Sequence, residues 1–184
     1  MSEPRNRVVQ LQRFGGPEGL EVVDTPLPKA GQGEVRVRVL ASGLEYTDVV
    51  IRRHLYAQTM LRQPPFVMGY DVVGEIDQLG DGVSGFQLGD RVADMTVVGS
   101  NAAYRTLRAD HLTHVPAGVD AAEAAALILS WTTGHQLYTA RLGCSEASAC
   151  SCREPPAPSV RRCSFSGGWP AWSCGAPRAA STPR

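Results

Sequence analysis

Hydrophobic and polar residues alternate most clearly over residues 34–41, EVRVRVLA, where the valines fall on one face and the arginines on the other. A period of two residues is the signature of a β-strand with one buried face. Shorter apolar runs at Val8–Leu11, Leu20–Val23 and Ala103–Leu107 predict further strands. The first part of the chain is therefore predicted to be mainly β.

Residues 69–92 carry six glycines, and apolar residues lie between them in strand-like order. Val72, Val73 and Ile76 suit a pleated, half-buried surface, and Gly74 among them predicts a bulge or a close backbone approach. The other glycines predict turns. We expect a strand, a turn, a second short strand and a tight corner of a β-barrel, rather than a linker.

Helical signals lie in two places. The segment Asp48–Leu61 is predicted to be a short helix and a loop. Asp120 has the position of an N-cap in a capping box, and the alanine-rich segment after it predicts a helix to about Leu129. A second helix is predicted at Thr133–Leu142. Short strands followed by helices suit a partly open β-barrel leading into an α/β domain.

Charge and hydropathy exclude several classes of partner. Eighteen basic and 18 acidic residues cancel, so nothing favours nucleic acid or an anionic membrane. No apolar run is long enough to predict a membrane span. The first residues are polar and do not resemble a signal peptide, so a cytoplasmic location is expected.

The glycine-rich segment carries a recognisable motif. Its Gly69-Tyr70-Asp71 triplet, spaced glycines and Gly89-Asp90-Arg91-Val92 resemble the medium-chain dehydrogenase/reductase superfamily, which has Gly-His-Glu, spaced glycines and Gly-Asp-Arg-Val. The resemblance runs from about Val8 to Leu142, and is strongest to the zinc-independent, quinone oxidoreductase-like branch.

This resemblance implies a domain organisation and a chemistry. Residues 1–125 are expected to form the GroES-like catalytic domain, and residues 126–143 to begin a nucleotide-binding Rossmann domain. Intact relatives are expected to use NADPH to reduce quinones or α,β-unsaturated carbonyls, without a metal. The substrate partner would then be a small carbonyl compound or quinone.

The last part of the chain differs in composition from the rest. Residues 144–184 contain no Leu, Ile, Met or Tyr, and they hold all five cysteines with six prolines and eight serines. So few large apolar side chains cannot offset the entropy of ordering the segment. We predict an aberrant, low-complexity and disordered tail there, with no glycine-rich cofactor-binding motif and no bound NADPH.

The codons of the tail suggest an explanation. Read one base out of phase, residues 149–160 permit Val-Leu-Val-Gln-Gly-Ala-Ala-Gly-Ala-Val-Gly, and only the first base of each new codon is free. That peptide is a buried strand followed by a glycine-rich turn of the kind that surrounds a pyrophosphate. We hypothesise that the coding frame slips near Gly143, which sequencing the gene there would test. An authentic low-complexity tail is the alternative.

Three residues are candidates for contacts with the substrate. By resemblance, Glu45, Tyr46 and Thr47 lie in the loop that faces the nicotinamide and the substrate. Glu45 and Tyr46 would hydrogen-bond a carbonyl oxygen, and Thr47 would relay a proton. The structural alternative is that Asp48 caps the next helix and Tyr46 packs. The sequence leaves both interpretations open.

A metal site is not expected. Zinc-dependent relatives place Cys and His where this chain has Glu45 and Tyr70, and neither is the expected ligand. His111 and His114 have the spacing of a metal-binding pair on a helix, but their segment is not predicted to be helical. They are therefore predicted to be solvated loop histidines. A zinc site in the tail is disfavoured because its cysteines do not have the spacing of a zinc-binding pair; its ligands would be Cys150, Cys152, Cys163 and Cys174.

Other polar groups are assigned structural roles. The basic residues Arg52, Arg53 and Arg62 are predicted to form a solvated face rather than a phosphate site. Asp71 is predicted to make a structural hydrogen bond at the start of its strand.

Two functions remain. The first is an oxidoreductase lineage whose present chain is inactive because its dinucleotide-binding motif is missing. The second is a non-enzymatic GroES-like interaction module, or a dimerisation partner of an intact paralogue. In either case Leu127, Ile128 and Trp131 are predicted to be exposed, which favours homo-oligomers or aggregation through the helices.

Overall fold

The computed structural model describes residues 5–137. By its contacts the chain divides between Thr133 and Gly134, and the fold below is that of the first unit. The predicted disordered tail, the reading-frame hypothesis and the tail cysteines lie outside the described residues. The strands are β1 (Arg5–Leu11), β2 (Leu20–Pro26), β3 (Glu34–Ala41), β4 (Phe66–Val67), β5 (Asp71–Leu79), β6 (Arg91–Met95), β7 (Tyr104–Arg108) and β8 (Thr113–His114).

These strands form two antiparallel sheets. The order is β2-β1-β4 in the three-stranded sheet and β7-β3-β5-β6-β8 in the five-stranded sheet. Strand β3 matches the predicted bounds, and strands β1 and β2 contain the predicted segments. The prediction of a mainly β fold that leads into helices is confirmed. The predicted domain boundaries at residues 125 and 143 stay predictions.

The five-stranded sheet has a core of β-branched and aliphatic side chains. Val35 and Val37 of β3 are fully buried, as the alternation predicts, and Arg36 and Arg38 lie on the opposite face. The remaining members of this barrel core come from the neighbouring strands: Val72, Ile76, Val92 and Leu107. The side chains on one face of this sheet therefore pack against each other and form a core.

A second cluster lies beside the three-stranded sheet. Leu11 and Ile51 are fully buried there, and the other buried members are Phe66, Met68, Tyr70 and Val98. Leu129 of the last helix packs against it. This cluster joins the first strand, the first helix and the segment before β5 into one packed unit.

Asn6 joins the two sheets. Its side-chain Nδ2 donates to the backbone oxygen of Tyr104 at 2.9 Å, and its Oδ1 accepts from the Tyr104 N–H at 2.8 Å. The side chain thus pairs with a strand as a peptide group would, and it is buried, with 5% of its surface exposed. A backbone bridge between Val8 and Ala102 continues the same junction.

The glycines of residues 69–92 have the predicted structural roles, with one correction. A Cβ on Gly74 would lie 2.9 Å from the Arg38 oxygen, and β3 shifts register between Val39 and Ala41 opposite it. Gly74 therefore sits at both a close approach and a bulge. The predicted second short strand between the turns is wrong, because the chain forms no strand between Leu79 and Arg91.

Two α-helices are present in the described residues, α1 (Tyr46–Arg52) and α2 (Ala121–Gln136). Helix α1 begins two residues earlier than predicted, with Glu45 as its N-cap. Asp120 caps α2, because its Oδ1 accepts from the N–H groups of Ala122 and Glu123 at 2.8 and 3.1 Å.

The predicted break before residue 133 is wrong, because α2 runs through it as one continuous helix. The residues between, Ser130, Trp131 and Thr132, include no proline or glycine that would end a helix. The end of the second predicted helix lies outside the described residues. None of the helices in residues 5–137 is long and apolar enough to cross a membrane.

Candidate functional site

The loop that carries the candidate residues leaves β3 at Ala41 and enters α1. A buried carboxylate at the start of β5 fastens it, since Asp71 Oδ1 accepts from the N–H of Gly43 at 2.6 Å. A Cβ on Gly43 would lie 2.6 Å from the same oxygen, so the loop passes too close for any side chain. The predicted structural hydrogen bond of Asp71 is confirmed.

Asp48 holds the other end of the loop. It is the third residue of α1, and its Oδ2 accepts from the N–H of Glu45 at 2.9 Å. This is the return bond of a capping box, which fixes the entry of the chain into the helix. The prediction that Asp48 caps this helix is therefore confirmed in function, although Glu45 occupies the N-cap position itself.

Asp48 and Asp71 are both buried, and one carboxyl oxygen of each makes no hydrogen bond within the described part of the chain. Asp48 is 4% exposed and Asp71 is fully buried. Asp48 Oδ1 and Asp71 Oδ2 have no hydrogen-bond partner among the described residues. Burial raises the pKa of both carboxyls, and the negative charge of Glu45 raises both further. The loop is therefore anchored by acids that resist ionisation.

The three candidate side chains differ in exposure. Tyr46 is 79% exposed, so the alternative in which it packs is wrong. Glu45 and Thr47 are half-buried. The anchored loop therefore presents a free phenol hydroxyl, a carboxylate and a hydroxyl from consecutive residues. Their predicted roles toward a substrate stay predictions.

A pair of tyrosines lies behind this loop. The hydroxyl groups of Tyr56 and Tyr70 are 2.9 Å apart, and their rings meet edge to face at 6.1 Å. Burial raises the pKa of Tyr70 to about 12, and the hydrogen bond to Tyr56 adds to the shift. Tyr70 is therefore a neutral hydrogen-bonding group throughout the physiological range.

The donor set at this position does not suit zinc. The side chains in the places of the zinc ligands are Glu45 and Tyr70, and the Tyr70 hydroxyl is engaged by Tyr56. Within residues 5–137 no group of three or more His, Cys, Asp and Glu side chains is placed to hold a metal ion. His111 and His114 are both exposed, and His114 stacks on Phe86.

The basic residues do not act together. Arg52 donates to the backbone oxygen of Gly15, which ties α1 to the turn after β1. Arg62 lies over the ring of Phe66 at 5.6 Å.

Two open cavities, of about 370 and 450 Å³, lie away from the candidate loop, and each is bordered by turns of the five-stranded sheet.

Sequence reasoning missed the tyrosine pair and the shared burial of Asp48 and Asp71. Tyr56 lies in the segment that was predicted to be a short helix and a loop, and it belongs to no sequence motif. Asp71 stands in the recognised triplet, but the sequence predicted only its hydrogen bond and not its burial. The contact between residues 43 and 71 depends on the pairing of β3 with β5, which no local pattern reveals.

Comparison with known proteins agrees with this geometry. The alcohol dehydrogenase GroES-like domain family matches residues 31–117. A quinone oxidoreductase of Pseudomonas aeruginosa is 37% identical over 130 residues, which are 70% of this chain and 39% of that protein. The chain thus spans well under half the length of this curated relative.

Solved structures give the same result. The human synaptic vesicle membrane protein VAT-1 homolog-like protein superposes with a TM-score of 0.73 at 26% identity, covering 79% of this chain and 46% of that one. The quinone oxidoreductase of Thermus thermophilus, solved also in complex with NADPH, gives 0.63 at 34% identity, covering 74% and 41%.

Fold and loop together define a GroES-like domain of the alcohol dehydrogenase type. The chain belongs to the medium-chain dehydrogenase/reductase superfamily, and within it to the quinone oxidoreductase-like proteins, which are a family of oxidoreductases.

Proposed function

We propose that the described residues are the substrate-side domain of an NADPH-dependent, zinc-independent oxidoreductase that acts on quinones or α,β-unsaturated carbonyls. The observation that supports this most directly is the anchored loop with Glu45, Tyr46 and Thr47. The hydroxyls of Tyr46 and Thr47 are hydrogen-bond donors for a carbonyl oxygen, and the loop lacks the thiolate and imidazole that a catalytic zinc would need. The NADPH complex of the Thermus thermophilus relative supports the choice of coenzyme.

The residues of this chain do not fit the coenzyme itself. A dinucleotide is held by a glycine-rich turn between a strand and a helix N-terminus. No such unit occurs within residues 5–137, where every strand pair is antiparallel. The sequence of residues 144–184 has no apolar run that would form the strand. We infer that this chain alone does not turn over NADPH, and that it is inactive as an oxidoreductase.

The test is an assay of the purified 184-residue chain with NADPH and 1,4-benzoquinone, followed by the loss of NADPH absorbance. The expected result is no saturable oxidation, together with no change in NADPH fluorescence on addition of protein. The matched control is the quinone oxidoreductase of Pseudomonas aeruginosa under the same conditions. Saturable turnover by this chain would contradict the inference of inactivity.

The assignment to the substrate side needs a separate measurement. Benzoquinone or a cyclic enone, titrated against labelled protein, is expected to perturb the amide resonances of Glu45, Tyr46 and Thr47. Tyr46→Phe removes one donor hydroxyl from an exposed ring and is expected to weaken this binding without changing the melting temperature. Val22→Ala, another exposed apolar position, serves as the control. Perturbations elsewhere only would contradict the assignment.

A second candidate function is a non-enzymatic interaction module, and helix α2 favours it. Leu127 is 46% exposed and Trp131 is 70% exposed, as predicted, whereas Ile128 is half-buried. Exposed apolar side chains on one helix favour self-association or binding to an intact paralogue. Light scattering after size exclusion is expected to show association that Trp131→Lys reduces. A clean monomer would contradict this function.

The location of the protein stays a prediction of the sequence. A cytoplasmic site would agree with the proposed use of NADPH. Fractionation of cells that express the tagged chain would test it.

A further inference from the structure

Arg105 is an arginine in a core-facing position. It lies in β7 opposite Val37, and two residues later Leu107 lies opposite Val35. Both valines and Leu107 belong to the barrel core. Paired residues on neighbouring strands share a face of the sheet, so Arg105 enters the end of the barrel rather than the solvent face. Arginine rarely takes such a position without a partner.

The guanidinium group of Arg105 has no such partner. Among the described residues it makes no hydrogen bond and no ion pair, and its Nε atom is fully buried. Burial lowers the pKa of Arg105, because the charged guanidinium has lost part of its contact with water. The residue as a whole is half-buried, and its two outer nitrogens, which also lack a hydrogen bond within residues 5–137, are not fully buried as Nε is.

The backbone makes room for this group at Gly99. A Cβ on Gly99 would overlap Arg105 Nη1, so the guanidinium occupies the space of a side chain at that position. Gly99 also has a φ of 102°, which other residues rarely adopt. The guanidinium is therefore held in place against the backbone of Gly99.

Charges around Arg105 are of both signs. The carboxylate of Asp94 raises its pKa, and the nearby positive charge of Arg62 lowers it, although burial is the largest influence. Asp94 already accepts from the N–H of Met95 at 2.7 Å, and it forms no ion pair with Arg105. Arg62 is exposed and lies over the ring of Phe66. Arg105 therefore lies in the field of one carboxylate and of one further positive charge.

We propose that Arg105 forms a binding site for a small oxyanion, of the carboxylate or phosphate class, with Arg62 as a nearby positive charge. The outer nitrogens of Arg105 would donate to two oxygens of the anion, and Arg62 would supply the second positive charge. Binding would give the buried guanidinium the counter-ion that it lacks in the described residues. Asp94 keeps the affinity modest, because its charge opposes that of the ligand.

The experiment is an NMR titration of the labelled full chain with sulfate and, separately, with acetate, at constant ionic strength. The Nε–H resonance of Arg105 is expected to shift and saturate. Arg36 is the internal control, because its Nε donates to Asp77 at 2.9 Å and is already satisfied. Saturation by sulfate alone assigns a phosphate-like ligand, and saturation by acetate alone assigns a carboxylate. An unresponsive Arg105, or an equal linear drift of both resonances, would overturn the site.

Variants test the two arginines separately. Arg105→Lys keeps the charge and loses the planar fork, and its affinity for the anion is expected to fall about tenfold. Arg62→Gln is expected to weaken binding about threefold through lost charge alone. Arg53→Gln removes another exposed arginine and should leave the affinity unchanged. Equal losses in Arg62→Gln and Arg53→Gln would show a general charge effect and refute the site, whatever the folding of Arg105→Lys.

Discussion

The five-stranded sheet and helix α2 bury their apolar side chains to very different extents. In the sheet, Val35, Val37 and Val72 are fully buried. In the helix, Ala125 is the buried residue, and Trp131 is 70% exposed. The comparison shows that the barrel contains its own core. The helix has apolar side chains that the rest of residues 5–137 does not cover.

The sharpest test of this difference is a large-to-small substitution in each region. Ile76→Ala removes a side chain that is 1% exposed and is expected to lower the free energy of unfolding by about 2–5 kcal/mol. Trp131→Ala removes a larger side chain and is expected to change it by less than about 0.5 kcal/mol. Urea unfolding monitored by circular dichroism measures both. Equal losses would show that the helix is as well packed as the sheet.

A smaller effect is expected from one methyl group added at two glycines. Gly43→Ala forces a Cβ to within 2.6 Å of the buried Asp71 carboxylate, and should destabilise the domain by about 1–3 kcal/mol. In helix α2, Gly134→Ala meets no atom within 4 Å and should stabilise the helix by up to about 1 kcal/mol. Thermal melts of the two variants should therefore move in opposite directions. A stable Gly43→Ala variant would show that the loop is not fastened by Asp71.

The buried acids predict how stability depends on pH. The pKa values of Asp48 and Asp71 are raised in the folded chain, so the native state holds protons that the unfolded state releases above about pH 4. The free energy of unfolding should therefore fall as pH rises from there through the folded pKa values. Asp71→Asn keeps an acceptor for Gly43 and should flatten this slope.

Unfolding midpoints measured across that pH range give the slope directly. The exposed Asp81→Asn variant should leave it unchanged. An Asp71→Asn variant with the slope of the parent would show that this carboxyl ionises as freely in the fold as outside it.

The smallest effect is expected at the cap of α2. Asp120 accepts from two N–H groups of the first turn, so Asp120→Ala should cost the helix about 1 kcal/mol. Asp120→Asn retains an acceptor and is the matched control. The effect is measured as a loss of the helical circular dichroism signal at temperatures below the melting temperature of the barrel. Identical curves for the alanine and asparagine variants would contradict the capping role.

Local sequence patterns predicted the strands and the helix cap. Predictions failed where the structure depends on contacts between residues distant in sequence. The alternation of β3 and the N-cap of Asp120 were predicted because each is decided by neighbouring residues. The strand expected between Leu79 and Arg91 was wrong, because the chain there consists of short turns and irregular backbone. The break in α2 was wrong because residues 130–132 contain no proline or glycine that would interrupt backbone hydrogen bonding.

The candidate site divides in the same way. The position of Glu45–Thr47 followed from resemblance, and the structure shows the loop to be anchored. The burial of Asp48 and the pairing of Tyr56 with Tyr70 were not predictable, since they require β3, α1 and β5 to be brought together. The same holds for Arg105, whose position is unusual only because of the strand opposite it.

The side chain of Asn6 has a consequence for the order in which the domain is built. Its two hydrogen bonds reach a residue 98 positions further along the chain. On the ribosome, the first strand must wait for almost the whole barrel to emerge before the two sheets can be joined. Contacts so distant in sequence form slowly, and closure of the barrel is therefore expected as a late event in folding.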